Sequence, residues 1–224
     1  MMHATAALLS NPTIYLDPYI ASIVPPVLTC LVGKHLGPSH VSDAINGNGN
    51  GNGNSNGHAQ NPLAHFPLRD LAASILVNIA KCYANTSTTL KPRIARTCLK
   101  YFLDPGKPFG THYGAIIGLT GITGPEGVRL LILPNLKLYD TILREADESR
   151  KMEAEMAIGA IMRGLELLER TAVERDEMMV NGTGDVEGAR DKLVEKVGEV
   201  MADRIVASGR VKLVSAVLEN DVSL

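Results

Sequence analysis

A single apolar stripe in the first half of the chain places the strongest constraint on its fold. The stripe runs in steps of three and four residues through Leu68, Leu71, Ala72, Ile75, Leu76, Ile79, Ala80 and Tyr83. This spacing puts all of these side chains on one side of an α-helix. Such a helix draws most of its stability from a neighbour that covers its apolar side. The stripe therefore predicts a fold in which helices cover one another.

The rest of the chain repeats the helical pattern, and no segment shows the sustained alternation of apolar and polar residues that indicates a strand. Helix pairs are predicted at residues 17–36, 68–103, 111–146 and 149–205. A recurring unit of about 40 residues is typical of HEAT and armadillo repeats. We therefore predict an all-α fold, an α-solenoid of about five HEAT-like helical hairpins.

Three local features refine this prediction. Asp17 and Pro18 suit the N-cap and the first position of a helix. The Pro25-Pro26 pair separates two short apolar runs, which indicates either a helical hairpin or a kinked helix. The four apolar residues 130–133 would suit a buried strand, but the helical spacing of the flanking residues favours a kinked helix.

An alternation of Asn and Gly fills residues 46–57. Such a segment has little side chain to bury and much backbone entropy to lose, so it predicts a disordered insertion. We place the insertion at about residues 38–61. It interrupts a single HEAT-repeat domain that is expected to cover residues 11–219.

Charge is unevenly divided along the chain. Residues 1–140 contain 10 Lys and Arg against 6 Asp and Glu, whereas residues 141–224 contain 12 against 18. Neither half is as basic as a dedicated nucleic-acid-binding protein. A modestly basic groove in the first half would still allow contact with DNA phosphates inside a larger assembly. An acidic run suits either a basic partner or a solvated helix face, and comprises Glu145, Asp147, Glu148, Glu153 and Glu155.

No motif indicates catalysis, a cofactor or a metal site. Cys30, Cys82 and Cys98 form no C-x-x-C pair and are interpreted as small core residues. The six histidines lack metal-ligand spacing, and no serine lies in a G-x-S-x-G setting. The glycine series 118–127 lacks the ending of a phosphate loop, so a Gly-Pro helix stop explains it better. We predict no enzyme activity and no small-molecule substrate.

A membrane span is not expected from the apolar pattern either. The apolar stretch at residues 20–32 is interrupted by Pro25 and Pro26 and is too short to cross a bilayer.

Two adjacent pairs of residues, Arg69-Asp70 and Tyr113-Gly114, are candidates for binding a partner protein. Arg69 and Asp70 are expected on the polar side of the best-defined helix. There they would anchor a partner's charged group or form an intramolecular ladder. Gly114 lies inside a predicted helix, where glycine costs about 1 kcal/mol relative to alanine. Close approach of a neighbouring helix, with Gly118 one turn later, explains this glycine, and a ligand near the backbone is the alternative.

Several runs of the sequence resemble a known family. The segments at residues 15–19, 24–31, 68–73, 113–119 and 131–136 are similar, in order and rough spacing, to the C-terminal HEAT-repeat domain of the sixth TBP-associated factor. The resemblance covers about residues 11–146, apart from the insertion. From residue 149 onward only helical character is recognisable. Nothing resembles the histone fold that begins the family's full-length proteins, so a fragment is expected.

The resemblance implies a nuclear scaffold without catalytic activity. Proteins of this family are subunits of TFIID and, in fungi, of the SAGA coactivator. The expected partners are therefore other TFIID and SAGA subunits, which the scaffold would link to a histone-fold core. The basic balance of the first half, and not the resemblance, adds promoter DNA phosphates within the assembly as a further expected contact. An unrelated HEAT or armadillo adaptor, or the helical domain of an enzyme, remains as the alternative.

Overall fold

The computed structural model describes residues 2–11, 13–36, 63–83, 88–175 and 188–218. Every regular element in these residues is helical, and none is a strand. The predicted all-α solenoid is confirmed. The Asn/Gly insertion predicted at residues 38–61 lies outside the described residues.

The first half of the fold contains six helices in the residues described. These are α1 (Met2–Leu9), α2 (Ile20–Val32), α3 (Phe66–Cys82), α4 (Leu90–Leu103), α5 (Phe109–Gly127) and α6 (Leu136–Arg144). Short 3-10 segments cover Asp17–Tyr19, Lys34–Leu36 and Leu133–Asn135, and a π-helical turn covers Val128–Ile132.

The second half begins with the longest helix. After a 3-10 turn at Glu148–Arg150, the helices are α7 (Lys151–Arg175), α8 (Arg190–Val197), α9 (Glu199–Ala207) and α10 (Val211–Leu218). Adjacent helices cover one another in a row: α2 packs on α3, α3 and α4 on α5, α5 on α7, and α7 on α10. The apolar stripe of α3 is covered in this way, with Ala72, Ile75, Leu76, Ile79 and Ala80 all buried.

Helix α5 lies at the centre of the stack, in contact with α2, α3, α4 and α7. Of its 19 residues, 12 are buried, which makes it the most enclosed helix described. Residues 109–144 are apolar and long enough to cross a membrane by length and composition alone. The chain here is interrupted at Gly124, where φ is 65°, and α5 is enclosed by other helices. Its apolar character is therefore explained by its place in the core.

The Pro25-Pro26 pair neither ends α2 nor forms a hairpin. Both prolines lie on the exposed side of a single helix, whereas Val24, Val27 and Leu31 are buried on the other side. Water can therefore satisfy the carbonyls that the prolines leave free, and packing maintains the helix. The predicted N-cap at Asp17 is also wrong, because Asp17 is the first residue of a 3-10 turn, whose N-cap is Leu16, and Tyr19 is the N-cap of α2.

Residues 128–144 form a bent helical segment rather than a strand, as the flanking spacing predicts. The segment passes from the π-helical turn through a 3-10 turn into α6. The Gly-Pro interpretation of the preceding glycines also agrees with the structure, since α5 is broken at Gly124.

The predicted helix pair at residues 149–205 contains a third helix, because Gly198 separates α8 from α9. Its φ of 86° favours glycine, and a Cβ atom there would lie 2.4 Å from Cβ of Asp140. Asp140 is buried, and its Oδ1 accepts a hydrogen bond from the backbone N–H of Val200 at 2.9 Å. A carboxylate of α6 thus fixes the start of α9.

The three cysteines do not share one environment. Cys98 is buried, Cys30 is half-buried and Cys82 is exposed. The prediction that all three are core residues is therefore wrong for Cys82, which is the last residue of α3 and is exposed.

Candidate functional site around Arg69

The four residues selected from the sequence meet at one place, where the end of α2 packs between α3 and α5. We call this group of contacts the arginine junction. It comprises the carbonyls of Leu31 and Gly33 and the residues His65, Arg69, Asp70, Gly110, Tyr113, Gly114, Glu153 and Arg163.

Arg69 occupies the centre of the junction and is only 1% exposed. Its Nη1 donates to the Leu31 carbonyl at 2.6 Å, and its Nη2 donates to the Gly33 carbonyl at 2.9 Å. Carbonyls at the end of a helix lack partners within that helix and form the negative end of its dipole. Arg69 therefore caps α2 and ties it to α3. Its predicted place on the polar side of α3 is wrong, because these acceptors bring it into the interior.

A buried carboxylate balances the charge of Arg69 through a histidine. Arg69 Nε donates to Nδ1 of His65 at 3.0 Å, so Nδ1 is the acceptor and the ring N–H lies on Nε2. That Nε2 lies 3.9 Å from Oε1 of Glu153, which is 5% exposed. Burial lowers the pKa of Arg69 to about 10, although Glu153 opposes the shift. The guanidinium consequently remains charged at neutral pH.

Two glycines of α5 make room for the junction. A Cβ atom on Gly114 would lie 1.9 Å from the Leu31 carbonyl oxygen and 3.5 Å from Nη1 of Arg69. One turn earlier, a Cβ atom on Gly110 would lie 2.4 Å from Cε1 of His65. Gly118, one turn later, faces the Leu31 side chain, with a Cβ distance of 2.6 Å. The interpretation of Gly114 as a site of close helix approach is confirmed.

At the outer edge of the junction, the hydroxyl of the buried Tyr113 joins two exposed residues, Asp70 and Arg163. The Tyr113 hydroxyl donates to Oδ1 of the exposed Asp70 at 2.6 Å. Arg163 Nη2 donates to the same hydroxyl at 3.3 Å, and the guanidinium lies 5.8 Å from the ring centroid. Burial, with the Asp70 carboxylate, raises the pKa of Tyr113 to about 12. We call Asp70, Tyr113 and Arg163 the outer triad.

The chemistry of these groups favours a structural and binding role over catalysis. Tyr113 is held protonated, and burial raises the pKa of the nearby Cys98 thiol to about 12, which disfavours its reactive thiolate. Arg69 directs its donors to protein acceptors. In the described part of the chain, no three His, Cys, Asp or Glu side chains are grouped to hold a metal ion.

Sequence reasoning missed His65, Glu153 and Arg163. Glu153 was interpreted as part of an acidic surface run, but it is buried on α7. Its position carries a signal, because Glu153, Ala157 and Ile161 follow in steps of four and the latter two are fully buried. A charge on an apolar stripe indicates a buried partner. His65 likewise lies four residues before Arg69, which places both on one side of the helix.

The family of the chain follows from its sequence together with this fold. Residues 1–137 match the sequence model of the TAF6 C-terminal HEAT repeat domain. The match includes more than half of the chain and every part of the arginine junction except Glu153 and Arg163. The chain belongs to this family.

Several relatives extend the match beyond the family's HEAT repeat model. The Schizosaccharomyces pombe protein named SAGA complex/transcription factor TFIID complex subunit Taf6 is 36% identical over 223 residues, which cover 98% of this chain and 43% of the relative. Transcription initiation factor TFIID subunit 6 of Arabidopsis thaliana is 37% identical over 158 residues, 70% of this chain and 25% of the relative. The Drosophila melanogaster protein of that name is 28% identical over 137 residues, 61% of this chain and 19% of the relative.

These matches change the limits of the resemblance. The TAF6 C-terminal HEAT repeat model starts at residue 1, and the fission yeast relative also matches the part after residue 149, where only helical character was recognised. Glu153 and Arg163 therefore lie within sequence that a family member shares. The chain spans less than half the length of these relatives.

Proposed function

We propose that the chain is a non-catalytic protein-interaction scaffold of a nuclear transcription initiation complex of the TFIID and SAGA type. In this role it links a histone-fold core to other subunits. The observation that carries the proposal is the 36% identity, over 98% of this chain, with a fission yeast protein named as a subunit of both complexes. Because the family match is specific, an unrelated HEAT or armadillo adaptor is not favoured.

The structure supports a scaffold through its rigidity. A stack of helices presents a long surface without needing a pocket. The arginine junction joins the end of α2 to α3 and α5 through buried hydrogen bonds, and α7 contributes Glu153. Surfaces that are already fixed before binding lose less conformational entropy when a partner docks.

The four candidate residues contribute in two ways under this proposal. Asp70 is exposed, so the outer triad offers its carboxylate and the Arg163 guanidinium to a partner, and the buried Tyr113 holds both through its hydroxyl. Arg69 and Gly114 are buried and act indirectly, by holding the helices that carry this edge.

A domain exchange tests the proposal. The matching segment of fission yeast Taf6 is replaced by this chain, and the hybrid protein is purified from nuclear extract through an affinity tag. We expect identified TFIID and SAGA subunits to be recovered with it. Recovery of the folded hybrid without subunits of either complex would contradict the scaffold role.

A pair of matched variants tests the outer triad within the same hybrid. Asp70→Asn removes the charge but keeps an oxygen that can accept the Tyr113 hydroxyl. Asp191→Asn makes the same change at an exposed position of α8. We expect Asp70→Asn, and not Asp191→Asn, to reduce subunit recovery several-fold, because interface charges influence association strongly only near the contact. Equal recovery from both variants would remove Asp70 from the interface.

A further inference from the structure

The most one-sided charge on the molecule lies on α4. Between Asp70 and Asp104 the sequence has no acidic residue and five basic ones, Lys81, Lys91, Arg93, Arg96 and Lys100. Four of the five belong to α4, which has no acidic residue of its own. This segment therefore concentrates positive charge in a chain whose formal net charge is −2.

Three of these side chains form a stripe on the outside of α4. Arg93, Arg96 and Lys100 are all exposed. Steps of three and four residues place them on one side of the helix. The opposite side, which carries Ile94, Cys98 and Phe102, is buried in the core. We call these three residues the α4 basic stripe.

The stripe differs from four arginines of α6 to α10 because it has no carboxylate partner among the described residues. Arg144, Arg190, Arg204 and Arg210 each pair with one or more acidic side chains. Across the described residues, no ion pair or side-chain hydrogen bond neutralises Arg93, Arg96 or Lys100. Three neighbouring cations without counter-charge repel one another, so an external polyanion would stabilise them.

We propose that the α4 basic stripe binds the phosphate backbone of duplex DNA without reading its sequence. Seven residues of helix separate Arg93 from Lys100 by about 10 Å, and duplex DNA carries one negative charge per about 1.7 Å of its axis. Three cations can therefore each contact a phosphate along one edge of the duplex. One large apolar side chain, Leu103, is exposed beside the stripe, whereas a bound peptide is typically held by several apolar or aromatic anchors, so the three cations favour a phosphate backbone.

This inference goes beyond the scaffold role and does not depend on it. A scaffold that has lost the stripe would still assemble with its subunits. The domain exchange therefore provides an independent readout, because subunit recovery should be unchanged when the stripe is removed.

The test measures binding of the full 224-residue chain to a short fluorescent DNA duplex of arbitrary sequence by anisotropy. Three phosphate contacts predict a slope of about −2.7 for log K against log salt, which is an affinity loss of about 40-fold between 50 and 200 mM salt. The triple variant Arg93→Gln, Arg96→Gln, Lys100→Gln should bind at least about tenfold more weakly at the lowest salt and have a slope near zero.

A charge-matched control separates the stripe from net charge. Lys137, Lys192 and Lys212 are exposed residues on α6, α8 and α10, and their joint change to Gln also removes three positive charges. The control variant should keep the native slope and affinity, and circular dichroism should give both triple variants the native melting temperature. An equal loss in both variants, or no binding by the native chain, would overturn the proposal.

A polyglutamate peptide tests whether the stripe binds an acidic protein segment rather than DNA. We expect it to bind more weakly than the duplex and to compete poorly with it. If polyglutamate binds the stripe more tightly than DNA, the partner is an acidic protein segment and the assignment to DNA is wrong.

Discussion

The arginine junction and the contacts that join α7 to the last helices both depend on arginine, but the arginine is buried in the first region and exposed in the second. Arg69 is 1% exposed and bonds to two carbonyls and a histidine. Arg204 and Glu155, which link α9 to α7, leave 45% and 50% of their side chains exposed. Water can replace a lost partner at the second site but not at the first. We therefore expect the guanidinium of Arg69 to contribute strongly to stability and that of Arg204 to contribute little.

The largest effect is expected from replacing Arg69, which tests whether the buried arginine contributes more to stability than the exposed ones. Arg69→Met keeps much of the side-chain volume but leaves the Leu31 and Gly33 carbonyls without their donor and removes a cation that interacts with the buried Glu153. We expect the free energy of unfolding to fall by about 3–5 kcal/mol, as measured by urea denaturation. Arg69→Lys keeps the charge and should lose less. A loss below about 1 kcal/mol for Arg69→Met would place the junction in the same class as surface pairs.

Gly114→Ala tests whether the junction depends on close approach of helices. The new methyl group would lie 1.9 Å from the Leu31 oxygen, so α2 and α5 must separate. We expect thermal unfolding to show a loss of about 1–3 kcal/mol. Gly159→Ala is the control, because its Cβ would meet only Nη1 of Arg163 at 3.8 Å. Gly159→Ala should leave the free energy of unfolding unchanged or raise it by up to about 1 kcal/mol. Equal losses in both variants would refute the packing argument.

The pH dependence of stability extends the comparison to a buried histidine. Both ring nitrogens of His112 lie 3.1 Å from carbonyl oxygens, those of Phe102 and Lys107. Burial lowers the pKa of His112 below its ordinary value of 6.5. The unfolded chain therefore takes up this proton first, and stability is lost as pH falls below 6.5. The melting temperature should drop over this range, and His112→Gln should reduce that drop. An identical pH profile would contradict this cause.

The smallest effect is expected at the exposed pair. Arg204 Nη2 lies 2.7 Å from Oε1 of Glu155, yet both side chains remain in water. Arg204→Gln should change the free energy of unfolding by less than about 1 kcal/mol, and added salt should reduce the difference further. Urea denaturation at low and high salt provides the measurement. A loss as large as that of Arg69→Met would remove the contrast between the two regions.

The parts of the fold that depend on local pattern could be predicted from the sequence. The stripe of α3 follows from its spacing, and Gly114 was correctly interpreted because a glycine inside a helix needs compensation. The spacing also puts Arg69 on the buried side of α3, because Ala72, Ala73 and Leu76 follow it by three, four and seven residues and are buried. Its hydrogen-bond acceptors could not be predicted, because these carbonyls lie more than thirty residues earlier in the chain.

The remaining errors have the same origin. The helical spacing continues through Gly198, and the sequence does not show that Asp140 of α6 lies beside it where the two helices separate. Pro25 and Pro26 suggest a break, but burial of the other side of α2 outweighs the hydrogen bonds they remove. Family resemblance correctly predicted the solenoid and could not predict these contacts, which are specific to the tertiary structure.

The carboxylate of Asp140 has a practical consequence for dividing this protein into transferable pieces. The family's sequence model ends at residue 137, a few positions before that side chain reaches across to the start of α9. A shortened protein cut there would also lose α7 and leave one flank of α5 open to water. Such a piece would expose apolar surface and tend to aggregate. Residue 137, where the family match ends, is therefore a poor position at which to truncate the protein. A shortened protein for expression should include all residues up to the end of α10.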